Sequence, residues 1–347
     1  MSADQGFDPH KSTAIRGLFL AGYTEQTMRR ALLLYNPESG QRRARRLADV
    51  ESAAAVLREQ GVEATPEATR EPGSAAAQAR EAVDRGCDAI IVCGGDGSIN
   101  ETLPGIVGTQ AALGVIPGGT LNGLANDIGI PANPGKAARV LATAEVRPIA
   151  MPCIQYRAPN GPTESRYWIM GAGIGADAYM AYRITIAAKR QWGMAAYLWE
   201  TTRQWLTHEF PLFFAEFKDE AGVLRREQVS QVLAIRIANF GGPLRRLAPG
   251  ADLARRDFHL VLFKSRRRAV FLRYMLGVWA GRPSTLPDVV VVPSAECHCF
   301  LSENGDARIY AEVDGEVLGR IPVTLTMTEQ TVNLLVPRAR ARKTAVL

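Results

Sequence analysis

The run Asp88-Ala89-Ile90-Ile91-Val92-Cys93-Gly94-Gly95-Asp96-Gly97-Ser98-Ile99-Asn100-Glu101 constrains the fold more than any other part of this chain. Its unbroken apolar stretch, closed by glycines, reads as a strand buried on both faces. A helix is expected to follow from about Ile99 to Val107. A strand that ends on glycines and opens a helix aims backbone N–H groups, and the positive end of the helix dipole, at the space beyond the strand. The glycines permit positive φ and close approach of an anion to the backbone. No Gly-Lys-Ser/Thr follows, so this is not a Walker A loop. Asp96 is the unusual member, because a carboxylate beside a phosphate site is repulsive. It calls for a cation, a hydroxyl to accept from, or a backbone cap; the plainest alternative is that Asp96 or Ser98 caps the helix.

The same design recurs. Leu113–Ile116 reads as a strand that runs into Pro117-Gly118-Gly119-Thr120-Leu121-Asn122. Ala31–Tyr35 reads as a strand that ends in Asn36-Pro37-Glu38-Ser39-Gly40. Parallel strands place these three loops along the carboxyl edge of one sheet, where open α/β sheets bind ligands. Between them lie helical stretches at Arg42–Gln60 and Ser74–Arg85, each closed by a glycine, with a strand at Val62–Thr69. Short helices are expected near Leu121–Asp127 and Pro134–Ala144. Strands alternating with helices predict a three-layer α/β domain over 29–147. Residues 1–28 read as a loosely ordered extension.

From 148 to 327 the texture changes. Strands are expected at Tyr167–Met170, Val232–Ile237, Phe258–Phe263, Val289–Val292, His298–Leu301, Arg308–Val313 and Val323–Met327, with another at Val332–Val336. Asn304-Gly305 and Asp314-Gly315 supply hairpin chemistry. Helices are expected only near Ala178–Arg203 and Ala269–Ala280. This predicts a β-rich second domain, a sandwich or barrel. Gly171-Ala172-Gly173-Ile174-Gly175 lacks the spacing and the βαβ setting of a dinucleotide-binding fingerprint.

Composition narrows the class of partner. The 347 residues are 47% apolar and 22% charged, with a net charge of +6. That balance suits anionic partners, and arginines cluster at Arg42–Arg46, Arg245-Arg246, Arg266–Arg268 and Arg338–Lys343. Aromatics do not interleave with these runs, which argues against nucleic-acid binding. Five cysteines without an export pattern predict reduced thiols and a cytoplasmic protein. Cys297 and Cys299 are expected to share a strand face as buried thiols, with His298 on the other side.

Taken in order, Asn36-Pro37-Glu38-Ser39-Gly40, Gly94-Gly95-Asp96-Gly97-Ser98 with Asn100-Glu101, and Pro117-Gly118-Gly119-Thr120-Leu121-Asn122 resemble the signature of the diacylglycerol kinase catalytic domain family. Its members include bacterial lipid kinases and sphingosine kinases. The likeness extends through Gly171–Ala178, Asn239–Gly242, Ala248–Ala251 and Val313-Asp314-Gly315-Glu316. It implies an NAD kinase/phosphofructokinase-like nucleotide-binding domain followed by a β-sandwich-like lipid domain. The last strand, about 328–337, is expected to return to the first domain.

The implied function is transfer of the ATP γ-phosphoryl group to a lipid hydroxyl, with Mg²⁺, by a cytoplasmic protein that meets the membrane reversibly. Asp96 and Glu316 are the catalytic candidates, and Asp96 and Asp314 the metal candidates. Asn36, Ser39, Gly40, Gly94, Gly95, Gly97, Ser98, Asn100, Gly119, Thr120 and Asn122 are the nucleotide candidates. A homodimer is left open as a further partner. An NAD kinase-like enzyme and a non-catalytic nucleotide-binding regulator are the alternatives. Two departures from the family pattern bear on the choice. Gly123 stands where many bacterial members have Asp, and Leu253-Ala254-Arg255-Arg256 replaces Leu-Asp-Asp-Gly, a stretch associated with a structural Mg²⁺.

Overall fold

The computed structural model describes residues 28–38, 45–158, 161–176, 178, 209–241, 247–281, 286–301 and 308–338. Ser39, Gly40, most of the 1–28 extension, all but the first residue of the helix expected at Ala178–Arg203, the Asn304-Gly305 turn and most of the basic tail fall outside these residues.

The first half alternates as its hydrophobic runs require. In order come β1 (Arg30–Tyr35), α1 (Arg46–Glu59), β2 (Glu63–Ala68), α2 (Ala75–Asp84) and β3 (Ala89–Gly94). Then follow α3 (Asp96–Ile106), β4 (Ala112–Pro117), α4 (Gly123–Ile128) and α5 (Pro134–Ala142). The strands pair in parallel in the order β4-β3-β1-β2. Chain order reverses across β1. Right-handed crossovers therefore send α1 to one face of the sheet and α2 and α3 to the other. Accordingly α1 packs with α5, and α2 with α3. The reversal leaves a crevice beyond the carboxyl ends of β1 and β3, where the Asn36 turn and the Gly94–Ser98 turn both emerge.

The second half contains β5 (Glu145–Arg157), β6 (Thr163–Tyr167), β7 (Gly171–Gly175), β8 (Phe213–Lys218), β9 (Leu224–Val229), β10 (Gln231–Ile235) and β11 (Phe258–Phe263). α6 (Arg268–Trp279), β12 (Val289–Ser294), β13 (Glu296–Phe300), β14 (Tyr310–Val313) and β15 (Glu316–Val336) complete it. Two antiparallel layers, β12-β11-β10-β7-β14-β15 and β6-β5-β15-β13-β8-β9, share β15. Alternate residues of both layers, among them Ile174, Phe258, Phe213, Cys297, Cys299 and Leu325, fill the space between them around Trp168.

β15 ties the halves together. It is read from the sequence as two strands, Val323–Met327 and Val332–Val336, but is continuous over 21 residues. Register shifts at Arg320/Val323 and Met327/Thr331 bend it. Its first part forms a hairpin with β14, its middle pairs with β13 and β5, and its end runs parallel to β4, with Leu334 opposite Leu113. β5, its partner along most of that length, passes straight through residue 147.

Other elements also differ from expectation. Of the strand expected at Tyr167–Met170, Tyr167 closes β6 and the other three residues connect β6 to β7, while the glycine-rich Gly171–Gly175 is a strand buried throughout. A Cβ on Gly171 would lie 3.3 Å from Ala234 O and one on Gly175 2.7 Å from Ser230 O, and Ala172 and Ile174 supply the apolar face. Strands β5, β6, β8 and β9 were not foreseen. β9, Leu-Arg-Arg-Glu-Gln-Val, lies at a sheet edge and is too polar to show apolar alternation.

Candidate active site

Beyond β3, the turn Gly95-Asp96-Gly97 begins α3 at Asp96, with Gly95 in the N-cap position. None of Gly94, Gly95, Gly97, Gly118 or Gly119 has positive φ. The glycines therefore answer a steric need, not the dihedral one that the sequence suggested. A Cβ on Gly95 would lie 3.0 Å from the Gly119 Cα, and one on Gly119 only 2.6 Å from the Gly95 Cα. The β3 and β4 loops thus touch backbone to backbone. Gly118 N–H also donates to Gly94 O at 2.8 Å. The two loops form one surface.

Asn122 shapes this surface. It sits in the left-handed region, φ 52°, which Asn tolerates better than most residues. Its Oδ1 accepts from Gly119 N–H at 2.7 Å and its Nδ2 donates to Gly119 O at 2.9 Å. Asn122 therefore staples the β4 loop, and Thr120 is left exposed at its crest. Across the crevice, Asn36 Oδ1 accepts from Glu38 N–H at 2.8 Å and closes the turn after β1.

Asp96 does not cap its own helix. Its Oδ2 accepts from Gly123 N–H at 3.1 Å, at the start of α4, and its Oδ1 is buried without a hydrogen-bond partner. Burial pushes its carboxyl pKa up, opposed by the amides of Gly123, Leu124 and Asn122. One turn on, Asn100 is 1% exposed, and neither its Oδ1 nor its Nδ2 has a partner. A buried acceptor with nothing to accept from is costly. An orphaned carboxylate oxygen beside a glycine-rich anion cradle suits a divalent cation, so Asp96 fits the Mg²⁺ that the family implies.

The β14–β15 hairpin reaches the same place from the second half. Asp314 and Gly315, at φ 49° and 84°, make its two-residue turn. Asp314 is half-buried, and its Oδ1 accepts from Met170 and Gly171 N–H while its Oδ2 accepts from Ile169 N–H. Burial raises its pKa to about 6 against those amides, and the nearby Asp96 charge adds to the rise. Both oxygens of this metal candidate are thus already engaged by backbone. Glu316 projects to the turn that holds Asp96: a Cβ on Gly97 would lie 3.8 Å from Glu316 Oε1. Arg166, on β6, donates from Nη2 to Glu316 Oε2.

Two functional candidates were invisible in the sequence. Arg166 lies in a strand with no motif around it. Arg46 belongs to one of the arginine clusters of the sequence, yet it is almost wholly buried, with Nη2 donating to Gly118 O at 2.8 Å. It holds a cation directly under the glycine surface. Only its position at the start of the helix after the Asn36 turn could have drawn attention to it.

The departures also have a structural account. A Cβ on Gly123 would lie 3.0 Å from Met170 Sδ and 3.5 Å from Ile237 and Phe240 side-chain carbons. That surrounding is apolar and closed to a carboxylate. At 253–256 the fully buried Arg236 donates from Nη2 to Leu253 O and Arg255 O, at 3.2 and 3.3 Å. With a guanidinium on those carbonyls, the stretch does not fit a structural Mg²⁺. Asp127, also buried, accepts from Ala238 and Asn239 N–H and locks α4 to the second half.

A parallel α/β domain with a glycine-lined crevice, a β-sandwich, and carboxylates from both meeting at the crevice define a two-domain kinase fold. Comparison with known proteins agrees. Residues 30–154 match the diacylglycerol kinase catalytic domain, and residues 171–336 match the YegS C-terminal NAD kinase beta sandwich-like domain. The two matches lie one in each half of the chain, and the curated relatives it resembles are named diacylglycerol kinases. It is 26% identical to the diacylglycerol kinase of Bacillus subtilis strain 168, over 91% of this chain and 99% of that one. It is 25% identical to that of Staphylococcus epidermidis RP62A, over 89% and 93% respectively. The crystal structure of a diacylglycerol kinase from Bacillus anthracis Sterne has the same fold, with a TM-score of 0.64 at 18% identity, covering 91% of this chain and 99% of that one.

Proposed function

We propose that the protein is an ATP-dependent lipid kinase that transfers the γ-phosphoryl group to the hydroxyl of diacylglycerol or a related lipid. The observation that carries the reading is the meeting of Asp96, with its unpartnered buried Oδ1, and Glu316, from the other domain, across the Gly97 turn. Phosphoryl transfer needs positioning and charge neutralisation more than covalent chemistry. The joined Gly94–Gly97 and Gly118–Asn122 surface suits the phosphates, with Asn36, Ser98 and Thr120 at its margins and the Arg46 guanidinium beneath. Mg²⁺, held by Asp96, would neutralise charge on the phosphates.

Asp96 and Glu316 then have separable tasks. Asp96, half-buried and anchored by Gly123 N–H, would hold the cation and orient the acceptor. Glu316 is half exposed and fixed by Arg166, so it stands at the mouth, where an acceptor hydroxyl would arrive and give up its proton. Asp314 we assign to positioning: it clamps the 169–171 backbone and so fixes the hairpin that presents Glu316. Leu121, exposed beside Asn122, offers an apolar contact for an acyl chain.

The test is incubation of the full chain with labelled ATP and Mg²⁺ against diacylglycerol, a long-chain base, ceramide and a polyprenol in mixed micelles, and against NAD in solution. A labelled lipid is the expected product. Labelling of NAD instead would favour a small-molecule kinase. ATP binding without any labelled product would favour a regulatory nucleotide binder.

A further inference from the structure

We propose that helix α6 is the surface by which this protein docks on an anionic lipid bilayer. The proposal deepens the lipid-kinase reading and rests on it for its purpose, though not for its geometry. α6 is apolar on both sides. Its inner side is committed: Tyr274 and Val278 are buried against β10 and β11, and Tyr274 O–H donates to Leu247 O at 2.6 Å. That anchor fixes the rotation of the helix. Leu272, Leu276 and Trp279 therefore face outward, 42%, 53% and 66% exposed. Their spacing of four and three residues places them in one stripe. Val291 of β12 is also exposed and shares a strand face with Val289, which packs against the same cluster as α6.

The charge around this stripe selects the occupant. Between Lys264 and Pro287 the chain has six basic residues and no acidic one. Arg266, Arg267 and Arg268 lead into the helix, and Arg273 lies beside Leu272 on its exposed side. An apolar stripe with cationic flanks and a terminal tryptophan matches the layering of a bilayer surface: phosphates outside, an interfacial belt suited to indole, acyl chains within. A protein partner would have to supply carboxylates around a hydrophobic groove.

The position suits the reaction. Phe240 packs against the α6 cluster and also against the core of the first half, beside Gly123. A protein seated on α6 would thus hold its crevice loops near the lipid surface. This account replaces a purely electrostatic attachment: the arginines supply attraction, and the stripe supplies insertion.

The experiment measures partition of the full chain onto vesicles of phosphatidylcholine with and without added phosphatidylglycerol as the anionic lipid. Wild type is expected to bind the anionic vesicles preferentially, and brominated acyl chains should quench a fluorescence component that Trp279→Ala removes. Leu272→Ser with Leu276→Ser should lower partition at least ~10-fold. Arg267→Gln with Arg273→Gln should do so at low salt by a similar factor of ~10. Melting curves should be unchanged, because all four side chains are exposed. Phosphorylation of a short-chain lipid in detergent should be unaffected by any of these changes, while phosphorylation of lipid in vesicles falls. Wild-type partition by the Leu272/Leu276 variant, or loss of self-association in place of vesicle binding, would overturn the proposal. If α6 governs vesicle binding but the wild type phosphorylates no lipid in either format, the lipid-kinase reading fails and the docking surface stands.

Discussion

Gly95 and Gly119, on different strand-end loops, approach so closely that a methyl group on either would reach the Cα of the other, at 3.0 and 2.6 Å. The phosphate cradle is therefore one object built from two loops. Gly119→Ala is expected to wedge the loops apart. ATP affinity should fall at least ~10-fold, with a stability loss of about 1–3 kcal/mol from overpacking. Calorimetric titration checks the first and chemical denaturation the second. Unchanged affinity would place the phosphates elsewhere.

Asp96→Asn retains an oxygen to accept from Gly123 N–H but removes the charge. Turnover should fall by ~10²-fold or more while the fold is kept. Nucleotide binding without Mg²⁺ should be nearly unchanged, and the gain in affinity that Mg²⁺ confers should disappear. A variant with normal turnover would show that Asp96 serves only to join α3 to α4.

Arg166→Ala tests whether Glu316 must be held in place. Both side chains are partly exposed, so the pair should contribute no more than about 1 kcal/mol to stability. Turnover should nevertheless fall ~10-fold, and Arg166→Lys should restore part of it. Equal melting curves with equal turnover would remove Arg166 from the site.

Gly123→Asp restores a residue common in the family, yet here it should harm the protein. The new carboxylate would face Met170, Ile237 and Phe240. A loss of at least about 2 kcal/mol is expected from the buried, unpaired charge. Higher activity with unchanged stability would show that the loop can open to water.

The pH dependence of stability should report on Asp314. Its folded pKa of about 6 lies above the ordinary value, so the native state binds the proton more tightly than the unfolded chain. The stabilisation from that proton is complete below about pH 4 and is lost as pH rises through about 6. Between those values the wild type should lose stability more steeply than Asp314→Asn, measured by urea denaturation without metal. Parallel curves would show that the Asp314 pKa is not raised.

The three strand–loop units of the first half were legible in the sequence because each is local: an apolar run, a polar or glycine turn and a helix start lie within about a dozen residues. The ordered motifs carried the family, and the Asp314-Gly315 turn was readable from two residues whose conformational preferences are their own. What the sequence could not hold were relations between distant segments. Gly95 and Gly119 look like dihedral devices until β3 and β4 lie side by side. Arg46 and Arg166 look like surface charge until Gly118 and Glu316 meet them. β15 looks like two strands because its bends are set by its four partner strands, not by its own residues. Burial and pairing across tens or hundreds of residues decide these features, and such decisions exist only once the chain has closed on itself.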